Sequence, residues 1–174
     1  MNMALIRSAA LTDVDAIASV HIASWITTYR GLVPDAVLDN QSFERRRDWW
    51  KNVVDEHAQQ VVVAEEDHQV VGFVYFGAER ENDPIYRGEL YAIYMLMDYQ
   101  QKGLGRLLVK ATAEGLLTLG IDNMLVWVLS RNPARRFYEK LGGVYLRDKP
   151  AEIGGTTLQE SAYGWNDIHP LTKQ

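Results

Sequence analysis

The chain alternates short apolar runs of strand character with longer segments in which apolar positions recur at helical spacing. Strands are predicted where β-branched or alternating apolar residues run together, over residues 4–8, 60–65, 70–76, 89–96, 124–129, 144–146 and 156–164. Helices are predicted where apolar side chains recur every three or four positions, in segments that begin near Val14, at Pro34 and Ser42, at Arg106 and at Asn132. This order of elements predicts a mixed α/β fold with a crossover helix in its second half.

No repeat, low-complexity tract or long linker separates these elements. The chain has 174 residues, of which 47% are hydrophobic. That is the length of one domain, and it provides enough apolar surface for a sizeable core. We therefore expect a single domain over residues 1–174.

Charge and cysteine content narrow the function classes. A formal net charge of −5 argues against non-specific binding to nucleic acid or to anionic membranes, because both are polyanionic. The chain has no cysteine, which excludes disulfides, thiolate nucleophiles and cysteine metal sites. Its four histidines show no ligand spacing, so no metal site is predicted. Without a signal-peptide pattern or a long apolar run, we expect a cytoplasmic protein with no membrane span.

The glycine-containing segment between a predicted strand and a predicted helix carries the strongest chemical signal. It reads Gln100-Gln101-Lys102-Gly103-Leu104-Gly105. The first N–H groups of a helix have no partner within it, and glycines let a phosphate approach them closely. The spacing differs from dinucleotide-binding and P-loop motifs, because position 108 is leucine. A simple turn that joins strand to helix is the alternative interpretation.

Two segments resemble motifs of the GNAT superfamily of N-acetyltransferases. Residues 89–106 are similar to the family's acetyl-CoA-binding motif, and residues 132–143 to its N-x-x-A-x-x-F-Y-x-x-x-G-F helix. The motifs occur in the family's order, separated by one helix and one strand, which makes the combined signal specific. The likeness is strongest over residues 72–146. Met97 stands where the family often has proline, and Gly143 where it often has phenylalanine.

The resemblance implies a particular fold. It consists of a central, mostly antiparallel and twisted sheet of about six or seven strands, flanked by about four helices. In that fold the fourth and fifth strands splay apart, and the pantetheine arm of acetyl-CoA lies in the opening. The cofactor-binding motif would span approximately residues 89–143.

Acetyl-CoA is the co-substrate that the resemblance implies, with no metal. Its pyrophosphate would bind the loop, with charge-assisted contacts from Lys102 and Arg106, and its arm would bind the backbone of the fourth strand. Asn132 would bond the arm from the start of the last helix, with an N-cap role as the alternative. The residues assigned to this site are Ile93, Tyr94, Met95, Gln100, Gln101, Lys102, Gly103, Leu104, Gly105, Arg106, Asn132 and Phe137.

Tyr138 and Glu89 are the catalytic candidates. Tyr138 matches the family's general-acid tyrosine, and a phenol can donate a proton or a hydrogen bond to a departing thiolate. Glu89 stands where many members have a general-base glutamate. A base would help because an amine with a pKa of about 10.4 is almost fully protonated at pH 7. The alternatives are a half-buried core aromatic for Tyr138 and a solvated strand-end carboxylate for Glu89.

The acceptor is predicted least sharply. Trp25, Tyr29 and Tyr91 are candidate substrate-binding residues, because family members often build the acceptor pocket from the N-terminal helices; core packing is the alternative for Trp25. Strict alternation would place Tyr91 and Tyr94 on different faces of their strand. We expect direct transfer to a small-molecule amine. An acyl-CoA sensor without transfer, a protein or peptide N-acetyltransferase, and a homodimer all stay open.

Overall fold

The computed structural model describes residues 4–173. Its strands are β1 (Leu5–Ser8), β2 (Val61–Glu66), β3 (Gln69–Ala78), β4 (Gly88–Met95), β5 (Met124–Leu129), β6 (Val144–Ile153) and β7 (Thr156–Trp165). Its α-helices are α1 (Val14–Tyr29), α2 (Asp35–Asp39), α3 (Phe43–His57), α4 (Leu104–Thr118) and α5 (Arg135–Lys140). No helix in this part of the chain is both long enough and apolar enough to cross a membrane.

The strands described in residues 4–173 form one seven-stranded sheet in the order β1-β2-β3-β4-β5-β7-β6. Neighbouring strands are antiparallel except β4 and β5, which are parallel. That pair is parallel because α4 carries the chain back across the sheet between the two strands. The predicted mixed α/β fold with a mostly antiparallel sheet is confirmed.

Helices cover both faces of the sheet. On the α4 face, the buried side chains of Phe76, Leu90 and Val126 pack with residues of α4. On the α1 face, Val63 and Phe73 pack against α1 and α3. Each strand thus sends alternate side chains into two separate cores.

β4 contains one residue more than the segment of β3 that it pairs with. Tyr75 pairs with Ala92 and Phe76 pairs with Leu90, so Tyr91 is the extra residue. Such a bulge bends the strand and shifts its alternation by one position. Tyr91 and Tyr94 consequently share the α1 face, where Tyr91 contacts Tyr75. The expectation that they point to different faces is therefore wrong.

The parallel pair β4–β5 is short. Its ladder joins residues 88–90 to residues 124–126. Beyond this point β4 stays paired with β3 as far as Met95, whereas β5 stays paired with β7 as far as Leu129. The two strands therefore splay apart, as the resemblance implied, and the sheet has an opening between them.

Two element boundaries differ from the prediction. β6 extends to Ile153 rather than ending near Leu146, since it pairs with β7 along its whole length up to the Gly154-Gly155 turn. Its polar residues are compatible with a strand because β6 lies at the edge of the sheet. α5 begins at Arg135, after a turn in which Asn132 Oδ1 accepts a hydrogen bond from the Ala134 N–H at 2.9 Å.

Gly143 has a local explanation in the core. A Cβ at this position would lie 2.7 Å from Cζ2 of Trp165 and 2.9 Å from the Tyr138 carbonyl oxygen. Trp165 also donates its indole N–H to the Leu141 carbonyl at 3.0 Å. The Trp165 ring thus lies directly against the backbone of Gly143, where any larger residue would collide with it.

Gly115 of α4 provides a test of packing between the helix and the sheet. A Cβ added there would lie 2.3 Å from Cζ of Phe76, whose side chain is 1% exposed and has little room to move. We expect Gly115→Ala to lower the free energy of unfolding by about 1–3 kcal/mol, although alanine is the better helix former. Urea denaturation would measure this loss.

The matched control is the same substitution in a Phe76→Leu background. The smaller side chain leaves room for the added methyl group, so Gly115→Ala should cost less there. An equal loss in both backgrounds would show that the contact with Phe76 is not the cause.

Candidate active site

The opening between β4 and β5 exposes one backbone edge of β4. The Leu96 N–H donates to the Val71 carbonyl at 2.9 Å. By alternation along an antiparallel strand, the backbone of Tyr94 also faces β3. Ile93 and Met95 face the opening with their N–H and C=O groups, of which the Met95 carbonyl already accepts from Gln100 Nε2. An extended ligand could bond to Ile93 and Met95 as a further strand would. This corrects the prediction for Tyr94, whose backbone is engaged with β3.

The loop before α4 has the geometry of a helix-terminal anion site. Gln101 and Gly103 adopt left-handed backbone conformations, with φ of +61° and +88°, and α4 begins at Leu104. A Cβ added at Gly103 would meet nothing within 4 Å, so open space lies over the loop. Gln100 ties the loop to β4, because its Nε2 donates to the Met95 carbonyl at 3.2 Å.

Charged and aromatic side chains surround this loop. Lys102 and Arg106 are exposed, and Lys102 Nζ lies 4.8 Å from the ring centroid of Tyr99. A Cβ on Gly105 would lie 3.2 Å from Cζ of Phe137, so α5 packs directly beside the first turn of α4. The loop thus combines a positive helix end with exposed cations, which suits a diphosphate.

Tyr138 projects from α5 into the core of the α4 face. Its ring is buried and lies edge-on to Phe137 and Trp165, with centroids 5.4 and 6.3 Å apart. Within residues 4–173 its hydroxyl forms no hydrogen bond. Burial raises the pKa of Tyr138 well above its usual value, with the Tyr94 phenol as the second cause. Tyr138 is therefore an uncharged hydrogen-bond donor throughout the physiological pH range.

A group of aromatic residues lies on the α1 face, across the opening from Tyr138. Trp25 Nε1 donates to Tyr94 Oη at 3.1 Å, and the Tyr29 and Tyr94 hydroxyls are 3.2 Å apart. Burial and the neighbouring Tyr94 phenol raise the pKa of Tyr29. The Tyr94 phenol, on the opposite face of the sheet, also contributes to the raised pKa of Tyr138.

A polar cavity of about 190 Å³ opens on the α1 face. Strands β4, β5, β6 and β7 all contribute to its wall, together with the loop before β4. Its lining residues are Arg80, Glu81, Glu89, Leu90, Tyr91, Trp127, Lys149 and Glu160. Tyr91 is the only one of the three substrate-binding candidates in this lining, and Trp25 and Tyr29 belong to the aromatic group described above.

Glu89 is a buried and paired carboxylate. It is 2% exposed, its Oε1 accepts from Arg80 Nη2 at 2.6 Å, and its Oε2 accepts from Arg80 Nε at 3.2 Å. The alternative of a solvated strand-end carboxylate is wrong. Both oxygens of Glu89 are occupied by one guanidinium, a geometry that fixes the side chain.

Asn132 reaches the opening from the turn before α5. Its Oδ1 caps that turn, as the alternative interpretation predicted, while its Nδ2 has no hydrogen-bond partner in residues 4–173. The side chain is 5% exposed. An amide N–H₂ without a partner is an available donor for a ligand that lies between β4 and β5.

Comparison with known proteins identifies the family. The model of the acetyltransferase (GNAT) family matches residues 21–143. The chain belongs to the GNAT family. The Bacillus subtilis (strain 168) protein named uncharacterized N-acetyltransferase YuaI is 38% identical over 170 residues, covering 97% of this chain and 96% of that protein. The chain is therefore a GNAT acyltransferase.

Solved structures agree with this GNAT fold. YncA from Salmonella typhimurium, determined with its cofactor acetyl-CoA, superimposes with a TM-score of 0.71 at 24% identity, covering 94% of each chain. The PaiA N-acetyltransferase from Thermoplasma acidophilum, determined with coenzyme A, gives 0.70 at 18% identity, covering 92% of this chain and 98% of that one. At these identities the likeness concerns the fold alone.

The GNAT motifs contain the residues on the side of the opening next to the loop before α4. Several residues on the cavity side were not predicted from the sequence. Trp127, Lys149 and Glu160 line the cavity, yet none of them belongs to a motif. The only signal in the sequence was an aromatic residue in an otherwise aliphatic strand. No group of three or more histidine, aspartate or glutamate side chains in residues 4–173 is arranged to hold a metal ion.

The pH dependence of stability tests how His21 is packed among the aromatic residues on the α1 face. Its Nδ1 accepts from Trp50 Nε1 at 3.0 Å, and burial, together with the nearby charge of Arg46, lowers the pKa of His21 to about 3. The unfolded chain binds a proton below pH of about 6.5 and the folded chain does not, so stability falls as the pH falls. Between pH 7.5 and pH 5 we expect protonation of His21 in the unfolded chain to lower the free energy of unfolding by about 2 kcal/mol.

Chemical denaturation across this pH range would measure the loss. His21→Asn keeps a hydrogen-bond acceptor for Trp50 and removes the titrating group, so its stability should depend less on pH. His57→Asn is the control, because His57 is exposed and its loss should leave the wild-type pH dependence intact. Parallel curves for His21→Asn and wild type would contradict the assignment.

Proposed function

We propose that this GNAT enzyme is an acetyl-CoA-dependent N-acetyltransferase that transfers the acetyl group directly to a primary amine of a small molecule. One observation carries the proposal: the opening between β4 and β5 lies between an anion-binding loop on one side and a polar cavity on the other. A cofactor entering from the loop and an amine entering from the cavity would meet there. Such positioning accounts for much of the rate in a two-substrate reaction.

The residues around the loop and the opening suit acetyl-CoA. The N–H groups at the start of α4, with Lys102 and Arg106, would hold the pyrophosphate. The backbone of Ile93 and Met95 and the free Nδ2 of Asn132 would hold the pantetheine arm. Acetyl-CoA would supply the acetyl group activated as a thioester.

Tyr138 is proposed to stabilise the departing sulfur. Its hydroxyl has no partner in residues 4–173, and its raised pKa keeps the proton on the oxygen. A thiol has a pKa of about 8.5, so donation of a hydrogen bond is easier than complete transfer of the proton. A Met95 N–H that faces the opening would stabilise the negative charge on the acetyl oxygen.

Glu89 is the general base that the resemblance implies. Its ion pair with Arg80 places a negative charge at the cavity wall, but both of its oxygens already accept hydrogen bonds. Direct removal of a proton by Glu89 would compete with Arg80 for these oxygens. A second carboxylate in the cavity would avoid this competition.

The packing of the β6–β7 hairpin supports a small-molecule amine over a protein substrate. The tip of the β6–β7 hairpin contacts α2, since a Cβ on Gly154 would lie 2.1 Å from Cγ2 of Val37. Ile153 and Leu158 of the same hairpin pack with Tyr29 of α1. A hairpin packed against α1 and α2 in this way restricts the space along which a peptide could lie.

The cofactor site can be tested by thermal denaturation. A ligand at about 100 times its dissociation constant adds about 2.7 kcal/mol of stability, so acetyl-CoA should raise Tm by roughly 5–10 °C. Gly103→Ala should abolish or sharply reduce this rise, because the added methyl group would occupy the space over the loop.

Gly120→Ala is the matched control for this experiment. Gly120 lies beyond the other end of α4, also at positive φ, and a Cβ there likewise meets nothing within 4 Å. Both variants should therefore lower the basal Tm to a similar extent, but only Gly120→Ala should retain the response to acetyl-CoA. No rise in wild-type Tm at millimolar acetyl-CoA would refute the proposed cofactor.

The role of Tyr138 is tested by Tyr138→Phe. Loss of one hydrogen-bond donor to the leaving sulfur should lower kcat by about 100-fold, while the Tm rise with acetyl-CoA stays the same. CoA release can be followed with a thiol reagent, since the chain has no cysteine to react. Tyr145→Phe, at an exposed tyrosine, is the control and should keep wild-type turnover. Unchanged kcat in Tyr138→Phe would remove Tyr138 from this role.

A further inference from the structure

We propose that Glu160, rather than Glu89, is the carboxylate that receives the ammonium group of the acceptor and takes its proton. The inference rests on the proposed function, because it assigns a catalytic residue to the same site. Glu160 lies on β7, opposite Leu129 of β5 and Lys149 of β6. Its side chain lines the cavity together with Tyr91 and Trp127.

Glu160 is half-buried without a fixed partner. Within residues 4–173 its carboxylate forms no hydrogen bond and no ion pair. The cation on the neighbouring strand, Lys149, pairs instead with Glu81, and its Nζ lies 4.0 Å from the ring centroid of Trp127. A carboxylate in a cavity without a partner is available to a cationic ligand, whereas Glu89 is held by Arg80.

Trp127 provides a second, independent indication of a ligand. Its Nε1 is buried and has no hydrogen-bond partner in the described part of the chain. Buried donors are nearly always satisfied, so this N–H suits an acceptor group of the substrate. The Trp127 ring already carries the Lys149 ammonium, and the Tyr91 ring carries the Arg80 guanidinium 4.2 Å from its centroid. Because protein cations already occupy these two rings, the carboxylate of Glu160 is left as the partner for an ammonium group of a substrate.

The electrostatic surroundings of Glu160 favour its action as a general base. Burial raises the pKa of Glu160; Lys149 and Arg80 act to lower it, and Glu81 and Glu89 act to raise it. A carboxylate with a raised pKa binds a proton more readily near neutral pH. The charge of Glu160 also contributes to the raised pKa values of Tyr29 and Tyr94, which places Glu160 within electrostatic reach of the phenols beside the opening.

In the proposed step, Glu160 takes one proton from the ammonium, which leaves a neutral amine with a free electron pair. The nitrogen forms a bond to the acetyl carbon, the carbon–sulfur bond breaks, and its electron pair goes to sulfur. The nitrogen loses its second proton to water, and the sulfur, which accepts a hydrogen bond from Tyr138, takes up one proton from water. The products are an amide and a thiol, and Glu160 releases its proton to water.

The test compares Glu160→Gln with Glu89→Gln and with the control Glu152→Gln, at an exposed glutamate on the same hairpin. CoA release is measured with spermidine, an aminoglycoside, amino acids and short peptides. At pH 7 we expect Glu160→Gln to lower kcat/KM for the amine by about 100-fold. At pH of about 9.5 the loss should shrink to a few-fold, because a sizeable fraction of the amine is then neutral.

Activity and the Tm rise with acetyl-CoA together distinguish a failure of the Glu160 assignment from a failure of the proposed function. A loss at pH 7 that recovers at high pH, with wild-type activity in Glu152→Gln and an unchanged Tm rise with acetyl-CoA, would support Glu160. Wild-type activity in Glu160→Gln would overturn the assignment and leave the proposed function intact; a matching loss in Glu89→Gln would then transfer the role to Glu89. No Tm rise with acetyl-CoA in the wild type would refute the proposed function and this inference together.

A binding assay covers the case in which acetyl-CoA binds but no amine of the panel reacts. The NMR signal of the Trp127 indole N–H reports on the cavity. It is identified as the indole signal that is missing from the spectrum of Trp127→Phe. A shift on addition of spermidine in the wild type that is lost in Glu160→Gln would support Glu160 as the ammonium site. A shift that persists in Glu160→Gln, or no shift with any amine of the panel, would overturn it.

Discussion

The separation of β4 from β5 is the feature on which the rest of the site depends. The strands pair over residues 88–90 and 124–126 and then follow different partners, β3 and β7. A continuous ladder would consume the N–H and C=O groups of Ile93 and Met95 and would close the passage between the two faces. Because the ladder stops, Tyr138 from the α4 face and Tyr94 from the α1 face come within electrostatic range of each other.

The bulge at Tyr91 coincides with the end of this ladder. An extra residue increases the local twist and bends the strand, and Tyr91 directly follows Leu90, the last residue of β4 that pairs with β5. The bulge also turns Tyr91 into the cavity, on the same face as Tyr94. A single inserted residue thus supplies a wall of the acceptor side at the point where the sheet opens.

Local sequence predicted the elements and the cofactor side, because the information there is itself local. A glycine at φ +88° and a helix start at Leu104 leave a recognisable string of neighbouring residues. The length of β6 could not be predicted, since its polar residues form a strand only through pairing with β7. Tyr91 was misplaced because period-two alternation has no means of anticipating a bulge. Trp127 and Glu160 come from separate strands, and only the sheet order β4-β5-β7-β6 brings them together.

The two carboxylates at the cavity wall show why a motif position and a chemical role need not coincide. Glu89 joins β4 to Arg80, while Arg147 and Lys149 of β6 pair with Asp83 and Glu81 in the same loop. These ion pairs hold the loop against the sheet, and truncating Arg80 or Arg147 would leave the buried carboxylate of Glu89 or Asp83 without compensation. A residue held in this way is fixed in position. Proton transfer favours a group that is free to change its charge, and in this cavity that description fits Glu160.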